Sequence, residues 1–325
     1  MENQFLRWLL PQIKREHRLE VPPGDDAAVL RAPGGKRTVV TTDLLTEFID
    51  FRFSSSKDDQ EFPPTATAYQ VGRKAIAVNL SDLAAMAATP EAVVVSVALP
   101  RQNGRTIADE LFKGIIEELE AFNTTLAGGD TNAWDGPLVI SVTAIGSVSP
   151  WDCWRRNTAE PGDLLVVTGP LGGSLLGRHL NVTPRCHEAL AIASKFQVHA
   201  AIDISDGLAI DCSRLMSASQ TGAIIDIESV PIHTDAVSLS ELKCNSSLTP
   251  IQHALQDGED FELLLAIPPD DAHAFVGGDP QKLVPQTTMQ PRIVGAVTEK
   301  IELLGRTADG QTQPLEPKGF EHAFT

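Results

Sequence analysis

The chain has 325 residues, 42% of them hydrophobic, which is enough for a sizeable core and comfortable for two domains. Its formal net charge of −17 at pH 7 excludes nucleic acid as an expected partner, because the phosphate backbone repels so acidic a protein. We expect no membrane span, since no apolar run is long enough, and four widely spaced cysteines without a signal peptide favour the cytoplasm.

The first part of the chain predicts alternating strands and helices. The N-terminal residues predict an amphipathic helix, with Phe5, Leu9 and Ile13 near one face. Segments rich in β-branched residues predict strands at 37–43, 75–82, 91–100, 124–130 and 137–146. An Ala-rich helix is expected directly after the second of these strands, and residues 106–122 show helical spacing of apolar residues. This mixture indicates an α+β or α/β domain, which we bound at residues 1–148.

A polar segment with two prolines, residues 149–163, predicts a boundary, after which a second α/β domain is expected over 149–325. Residues 200–219 predict a strand, a turn and a helix. Further strands are predicted at 164–169, 222–232 and 261–269. The glycine-rich residues 169–177 follow a strand but lack the GxGxxG spacing. We therefore interpret them as a tight turn rather than a phosphate-binding loop.

Acidic residues recur at the ends of the predicted segments, each beside Gly, Ser or Thr. They are Asp25, Asp26, Asp43, Asp82, Asp130, Asp203, Asp206, Glu259 and Asp260. Taken singly, each could be a helix cap or a turn residue. Strand ends in α/β folds converge on one edge, and acids gathered there would repel each other unless cations held them. The set therefore predicts several Mg²⁺ ions and a polyphosphate ligand.

The sequence offers no nucleophile and base in motif-like positions, and no GxxxxGK[ST] loop. This fits an acceptor that is itself a phosphate, because its attacking oxygen is already ionised at neutral pH. Catalysis then requires that two anions be positioned and their charge neutralised, on which phosphoryl transfer mainly depends. Metal-bound aspartates suit that task.

Several motifs occur in one order nearly from end to end. They are "GDDAAV", "VVTTDLLTE", "GRKAIAVNLSDLAAMAATP", "LAGGDT", "RRNTAEPGDLLVVTG", "DISDGL", "GEDFELL" and "GFEH". With them the sequence resembles the thiamine-monophosphate kinase family, of the aminoimidazole ribonucleotide synthetase-like superfamily. The resemblance implies an N-terminal mixed-sheet domain that pairs in a homodimer, a C-terminal α/β domain, and ATP near the cleft between them. It also implies direct, magnesium-assisted transfer of the ATP γ-phosphate to thiamine monophosphate, giving thiamine diphosphate.

The resemblance also implies roles for individual residues. Magnesium positions are matched by Asp26, Thr41, Thr42, Asp43, Asp82, Asp130, Asp203 and Asp206. Among these, Asp43, Asp130 and Asp206 are expected to be catalytic. ATP contacts are matched by Gly129, Asp130, Arg156 and Ser205. Acceptor positions are matched by Asp50, Glu259 and Phe320, and the Phe320 ring could stack on the thiazole or pyrimidine.

Departures from the family pattern concern mainly the acceptor side. Phe48 stands where the family has Gly, and Asp50 stands where it has a His that contacts substrate. Ala87 and Asp257 also replace glycines. Asp25 is expected to support or cap the turn beside Asp26. Two alternatives therefore stay open: a related ATP-dependent enzyme acting on a different small phosphate, or a non-catalytic relative that binds ATP and magnesium.

Overall fold

The structure is a computed structural model that describes residues 8–12, 18–31, 35, 37–53, 63–149, 153–242 and 248–321. Of the predicted N-terminal helix, Phe5 and Ile13 lie outside these residues, and Leu10–Gln12 form a short 3-10 turn. Within the described parts of the chain, no helix is both long and apolar enough to cross a membrane.

The first half of the chain forms a six-stranded sheet. Its strands are β1 (Leu19–Val21), β2 (Ala28–Arg31), β3 (Arg37–Thr46), β4 (Thr89–Pro100), β5 (Thr125–Trp134) and β6 (Val139–Val148). They lie in the order β1-β2-β3-β6-β4-β5, and β5 is parallel to β4. The strands predicted at 37–43, 91–100, 124–130 and 137–146 are thereby confirmed. Buried and half-buried residues alternate along β6, which is why the pattern was readable from sequence.

The second half forms a seven-stranded sheet. Its strands are β7 (Leu164–Val167), β8 (Ala200–Ile204), β9 (Gly222–Asp226), β10 (Glu262–Ile267), β11 (Arg292–Thr298), β12 (Leu303–Arg306) and β13 (Thr312–Pro314). They lie in the order β13-β12-β9-β11-β7-β10-β8. The predicted strand, turn and helix over 200–219 are confirmed, because β8 is followed by a helix at Leu208–Ser219.

Helices pack against both sheets. In the first half they are α1 (Ala68–Ala85) and α2 (Gly104–Ala121). In the second half they are α3 (Cys186–Ala193), α4 (Leu208–Ser219), α5 (Thr234–Glu241), α6 (Pro250–Gln256), α7 (Pro269–Val276) and α8 (Pro280–Leu283). The helix predicted at 106–122 is confirmed as α2.

The strand predicted at 75–82 is wrong, because this segment is the centre of helix α1. The helix begins with a capping box, in which the Thr67 hydroxyl accepts the Gln70 N–H and the Gln70 side chain accepts the Thr67 N–H. Helix α1 contacts β3 and β6 of the first sheet and β8 of the second. It is therefore buried nearly all round, and an apolar run without a polar face resembles a buried strand in sequence.

Glycines allow α1 and α2 to cross at close range. A Cβ on Gly72 would lie 2.0 Å from the carbonyl oxygen of Leu111, and a Cβ on Gly114 would lie 2.0 Å from that of Tyr69. Any larger residue at either position would push the helices apart. The close crossing helps to fix α1 between the two sheets.

The expectation that the acids stand at strand ends holds only in part. Asp43 and Asp130 lie inside β3 and β5, and Asp82 lies inside α1. Asp203 lies near the end of β8, and Asp206 lies in the turn after it. Asp26, Asp82 and Asp203 come together because α1 brings Asp82 to the junction of the two sheets.

The glycine-rich segment 169–177 is a tight turn, as interpreted from its sequence. The Gly172 N–H donates to Asp260 at 2.9 Å, and the Gly173 N–H donates to Asp257 at 2.8 Å. These amides are therefore satisfied by the chain's own carboxylates. Asp257, one of the departures from the family pattern, stabilises this turn by accepting the Gly173 N–H.

The two sheets divide between residues 148 and 164, near the predicted boundary. One hydrophobic cluster nevertheless joins residues of both sheets, such as Ile140 of β6 and Leu263 of β10. A second cluster lies within the second half. Since α1 lies in the shared cluster, polar residues on this helix are held at the junction.

Candidate active site

Three carboxylates from different elements converge at the junction of the sheets. Asp26 precedes β2, Asp82 belongs to α1 and Asp203 belongs to β8, and each offers an oxygen within 4.8 Å of the other two. Hydroxyl groups orient two of them. Thr41 Oγ1 donates to Asp82 at 2.5 Å, and Ser81 Oγ donates to Asp203 at 2.7 Å. We call Asp26, Asp82 and Asp203 the carboxylate triad; its hard oxygen donors suit Mg²⁺.

The electrostatics of the triad favour a bound cation. Burial raises the pKa of Asp82 well above its usual range, and the neighbouring carboxylates, first that of Asp43, raise it further. Burial is also the main reason that the pKa of Asp203 is raised well above its usual range, followed by the charge of Asp26. Two charges at 4.8 Å repel by about 3 kcal/mol at an effective dielectric constant of 20. A divalent cation would offset that repulsion.

The adjacent residues Asp25 and Asp26 have different tasks. The guanidinium of Arg156 donates to both oxygens of Asp26, at 2.6 and 2.9 Å. Asp25 instead accepts the backbone N–H groups of Asp26 at 3.0 Å and of Arg156 at 3.1 Å. Burial, and then the charge of Asp26, raises the pKa of Asp25 to about 6. Asp25 thus supports the turn, as expected, while Asp26 faces the site.

A cavity of about 670 Å³ opens beside the triad. The acids in its wall are Asp43, Asp50, Asp82, Asp203, Asp206 and Glu259. Burial, and then the charge of Asp50, raises the pKa of Asp43 to about 6. Asp43 therefore interacts electrostatically both with Asp82 of the triad and with Asp50, Glu259 and Asp206 in the cavity wall. A cavity of this size can hold a small organic ligand.

Glu259, predicted from the resemblance to bind the acceptor, lies on a strained loop in the cavity wall. Its φ is +65° and that of Phe261 is +51°, and each such residue costs about 1–3 kcal/mol. The Glu259 N–H donates to the Ser205 carbonyl at 2.6 Å, and the Phe261 N–H donates to the Ile204 carbonyl at 2.8 Å. The predicted ATP contact Ser205 lines the same cavity.

Lys74, which lies on α1 and lines the cavity, was not predicted from the sequence. Its side chain is 1% exposed, and its ammonium group pairs with Glu259 and donates to the Asp50 carbonyl oxygen at 2.7 Å. Asn79, whose side-chain oxygen accepts the Asp43 N–H at 3.1 Å, was not predicted either. The signal in the sequence was that the polar residues Lys74 and Asn79 interrupt the apolar part of the motif "GRKAIAVNLSDLAAMAATP".

The remaining acceptor positions also reach the cavity. Asp50 lies on a turn after β3, where its Oδ2 accepts the Thr46 N–H at 2.7 Å. Phe320 lies near the end of the described chain, and its N–H donates to the Asp206 carbonyl at 3.0 Å. The structure therefore brings Asp50, Glu259 and Phe320 to one cavity.

Three predicted site residues lie away from the cavity within one chain: Thr42, Gly129 and Asp130. Thr42 points away from Thr41, and its hydroxyl donates to the Val142 carbonyl at 3.0 Å. Gly129 and Asp130 lie in the edge strand β5, which β4 and β6 separate from β3. Three strand spacings amount to about 14 Å. None of the three residues belongs to the described cavity wall.

Known proteins resemble this chain in sequence and in fold. Residues 24–148 match the family model "AIR synthase related protein, N-terminal domain", and residues 160–278 match that of the C-terminal domain. A thiamine-monophosphate kinase from Rhodopirellula baltica is 40% identical over 100% of this chain and 98% of its own length. Another, from Synechococcus elongatus, is 33% identical over 93% of this chain and 91% of its own length.

A solved structure called "AaThiL complexed with AMPPCP and TMP" has a TM-score of 0.78 and 26% sequence identity, and the match covers 99% of this chain and 96% of that chain. The fold predicted from the resemblance, with two α/β domains of the aminoimidazole ribonucleotide synthetase-like type, is confirmed. The chain belongs to the AIR synthase related family and, within it, to the thiamine-monophosphate kinases.

Proposed function

We propose that the protein transfers the γ-phosphate of ATP directly to thiamine monophosphate, forming thiamine diphosphate and ADP. The observation that carries this proposal is the buried carboxylate triad beside a cavity of about 670 Å³. Relatives named thiamine-monophosphate kinase, one of them 40% identical over the whole chain, support the choice of acceptor.

The residues of the triad fit magnesium. Asp26, Asp82 and Asp203 would hold the ion, and further ions would be held by Asp43 and Asp206 in the cavity wall. Bound magnesium supplies charge neutralisation for phosphate oxygens. Ser81 and Thr41 keep the carboxylates aimed at the site through their hydroxyl groups.

Arg156 is proposed to contact the phosphates of ATP. Its guanidinium already lies at the triad, where it forms a two-point ion pair with Asp26. A planar guanidinium pairs equally well with phosphate oxygens. We expect it to be shared between the carboxylate and the nucleotide.

The reaction needs no general base. An ionised oxygen of the acceptor phosphate attacks the γ-phosphorus, the bond to the β,γ-bridging oxygen breaks, and ADP leaves with that electron pair. His179, in the cavity wall, is poorly suited to take a proton: burial, and then the charge of Lys74, lowers its pKa to about 4. The chain's own side chains therefore position and neutralise the two anions.

We further propose that the protein is a homodimer that pairs through the first sheet. All ten residues of the edge strand β5 are exposed, and a long uncovered edge invites pairing with another chain. Gly129 and Asp130, proposed to contact ATP and magnesium, lie about 14 Å from β3 within one chain. In a dimer, Gly129 and Asp130 of one copy would reach the site of the other copy. Light scattering should give twice the chain mass of 34.9 kDa, and a monomer would contradict the pairing.

In this proposal residues 1–148 bind metal and ATP and form the dimer, with Thr42 among the magnesium positions. Residues 149–325 complete the ATP and acceptor sites, with acceptor contacts from Asp50 of the first part and from Glu259 and Phe320 of the second. A cytoplasmic location is also proposed. The free thiols of Cys153, Cys186 and Cys212 support it, since reduced thiols are typical of that compartment.

The test is product analysis by ion-exchange chromatography. Purified protein with ATP, Mg²⁺ and thiamine monophosphate should form thiamine diphosphate and ADP in equal amounts. A panel of other small phosphates serves as the comparison. Faster turnover of another acceptor would favour the related-enzyme alternative, and ATP binding without any product would favour the non-catalytic one.

A further inference from the structure

A strained aromatic residue stands at the mouth of the cavity. Phe48 has a φ of +77°, and its side chain is 72% exposed although it lines the cavity. A bulky residue in this region of φ costs about 1–3 kcal/mol. A side chain so exposed gains little packing within the described part of the chain to offset that cost, so the conformation calls for another explanation.

The turn that carries Phe48 is held firmly. The Phe48 N–H donates to the Phe51 carbonyl at 2.7 Å, and the Thr46 N–H donates to Asp50 Oδ2, also at 2.7 Å. Lys74 fastens the turn to helix α1 by donating to the Asp50 carbonyl at 2.7 Å. One oxygen of the Asp50 carboxylate thus holds the turn, and the backbone position of Phe48 is fixed before a ligand arrives.

The cavity has two chemically different ends. Buried carboxylates line its base, where Asp203 is 2% exposed. Its mouth carries exposed apolar side chains, and Phe320, 48% exposed, lines the same cavity as Phe48. With Mg²⁺ held by these carboxylates, a ligand with a phosphate at one end and a flat apolar or cationic ring at the other would match both ends.

We infer that Phe48 joins Phe320, already expected at the acceptor, in holding the heteroaromatic part of the acceptor, with its phosphate directed at the Mg²⁺ that the carboxylates would hold. The inference rests on the proposed function, because thiamine monophosphate joins a cationic thiazolium ring to a phosphate. Phe faces attract cations and stack on flat rings. Phe48 is thereby a specificity-determining residue of the acceptor site, and the strained turn keeps it in place.

The experiment is calorimetric titration of thiamine monophosphate into protein saturated with Mg²⁺ and a non-hydrolysable ATP analogue. Phe48→Ala removes the ring and keeps a non-glycine residue at the strained position, whereas Phe48→Gly removes the ring and the strain together. Both should weaken binding about tenfold, corresponding to about 1.4 kcal/mol. Affinity for the ATP analogue should not change, and Phe48→Tyr should bind like the wild type.

Ile301→Ala is the matched control, because Ile301 is 75% exposed and lies outside the cavity wall. It should bind thiamine monophosphate like the wild type. Unchanged affinity in both ring-deleted variants would overturn the inference and leave the proposed function standing. Weaker binding in Phe48→Gly alone would also overturn it, since turn rigidity and not the ring would then matter. A wild type that binds the ATP analogue but neither binds nor phosphorylates thiamine monophosphate would overturn the proposed function as well.

Discussion

Replacing Asp203 by asparagine changes the charge of the triad with little change in shape. Asp203 Oδ2 accepts the Ser81 hydroxyl at 2.7 Å, and the amide oxygen of asparagine can accept the same bond. We expect this variant to be more stable than the wild type without metal ions, and inactive with them. A gain in stability without metal ions together with a loss of activity with them distinguishes a metal site from an ordinary structural aspartate.

The magnitude follows from the geometry of the triad. At the 4.8 Å limit, an ionised Asp203 is repelled by each of Asp26 and Asp82 by about 3 kcal/mol at a dielectric constant of 20. Arg156 cancels part of this by pairing with Asp26. We therefore expect Asp203→Asn to raise the free energy of unfolding at pH 8 by about 1–3 kcal/mol. For a chain of this length this corresponds to an increase in Tm of about 2–4 °C.

The sign depends on pH. The pKa of Asp203 is raised in the native state, mainly by burial, so the native protein holds this proton more tightly than the unfolded chain. The resulting stabilisation is full below about pH 4, the pKa in the unfolded chain, and is lost as pH rises through the native pKa. The advantage of the asparagine variant over the wild type should therefore grow from pH 4 upward.

Calorimetric unfolding in EDTA and in Mg²⁺ measures both effects. Mg²⁺ at a hundred times its Kd should stabilise the wild type by about 2.7 kcal/mol, and most of this should disappear in Asp203→Asn. Turnover should fall at least about 10²-fold, as when a group that stabilises charge in the transition state is lost.

Asp163→Asn provides the matched control. Asp163 is also buried, but its carboxylate accepts the Glu160 N–H at 2.8 Å and lies 2.9 Å from His199 Nδ1, away from the triad and from the other proposed magnesium positions. This variant should be destabilised equally in EDTA and in Mg²⁺. An Asp203→Asn protein that is less stable than the wild type in EDTA, or that keeps the full Mg²⁺ shift, would refute the reasoning.

Three further substitutions test other parts of the account. Gly72→Ala puts a Cβ 2.0 Å from the Leu111 carbonyl oxygen and should cost at least about 2 kcal/mol in urea unfolding, far more than Gly104→Ala; equal costs would contradict the close crossing. His179→Gln removes a histidine whose pKa is lowered to about 4, chiefly by burial; its stabilisation is present above about pH 6.5 and lost as pH falls through 4. Between pH 7 and 4 the wild type should therefore lose up to about 3 kcal/mol more than the variant, and parallel profiles would contradict this. Lys74→Met leaves Glu259 without its cation and should raise the KM for thiamine monophosphate about tenfold with little change for ATP, whereas Arg73→Met on the same helix should change neither; equal effects of the two variants would refute a role for Lys74 in the acceptor site.

Much of the fold could be predicted because buried and less buried side chains alternate along a strand that has one covered face. Strand β6 shows this pattern over its whole length, and the strand, turn and helix at 200–219 follow equally clear signals. Helix α1 could not be predicted in the same way. It is covered by both sheets, so its centre carries no polar face, and its position depends on long-range packing.

In the candidate site, too, residues in local motifs could be predicted, and residues placed by long-range packing could not. Asp26, Asp82 and Asp203 stood in recognisable motifs, and the structure brings them together. Lys74 could not be distinguished in sequence from an exposed lysine, because its burial depends on the loop that carries Glu259. The distance of Asp130 from the triad follows from the strand order β3-β6-β4-β5, which no local pattern specifies.

The opposite orientation of Thr42 was accessible from sequence. Thr41 and Thr42 are neighbours in a strand, so their side chains must point to opposite faces of the sheet. Thr41 reaches Asp82, while Thr42 bonds to Val142 on the neighbouring strand. The resemblance implied magnesium positions for both residues, because a motif match does not consider which face of the sheet a side chain is on.

The central claim is direct phosphoryl transfer from ATP to thiamine monophosphate at the carboxylate triad. The most direct test is a single-turnover reaction with ATP labelled in the γ-phosphate, in Mg²⁺, followed by separation of protein, thiamine diphosphate and inorganic phosphate. Direct transfer predicts that the label moves to the terminal phosphate of thiamine diphosphate, with none on the protein and none transferred by Asp203→Asn. Label that accumulates on the protein, or that appears only as inorganic phosphate, would contradict it.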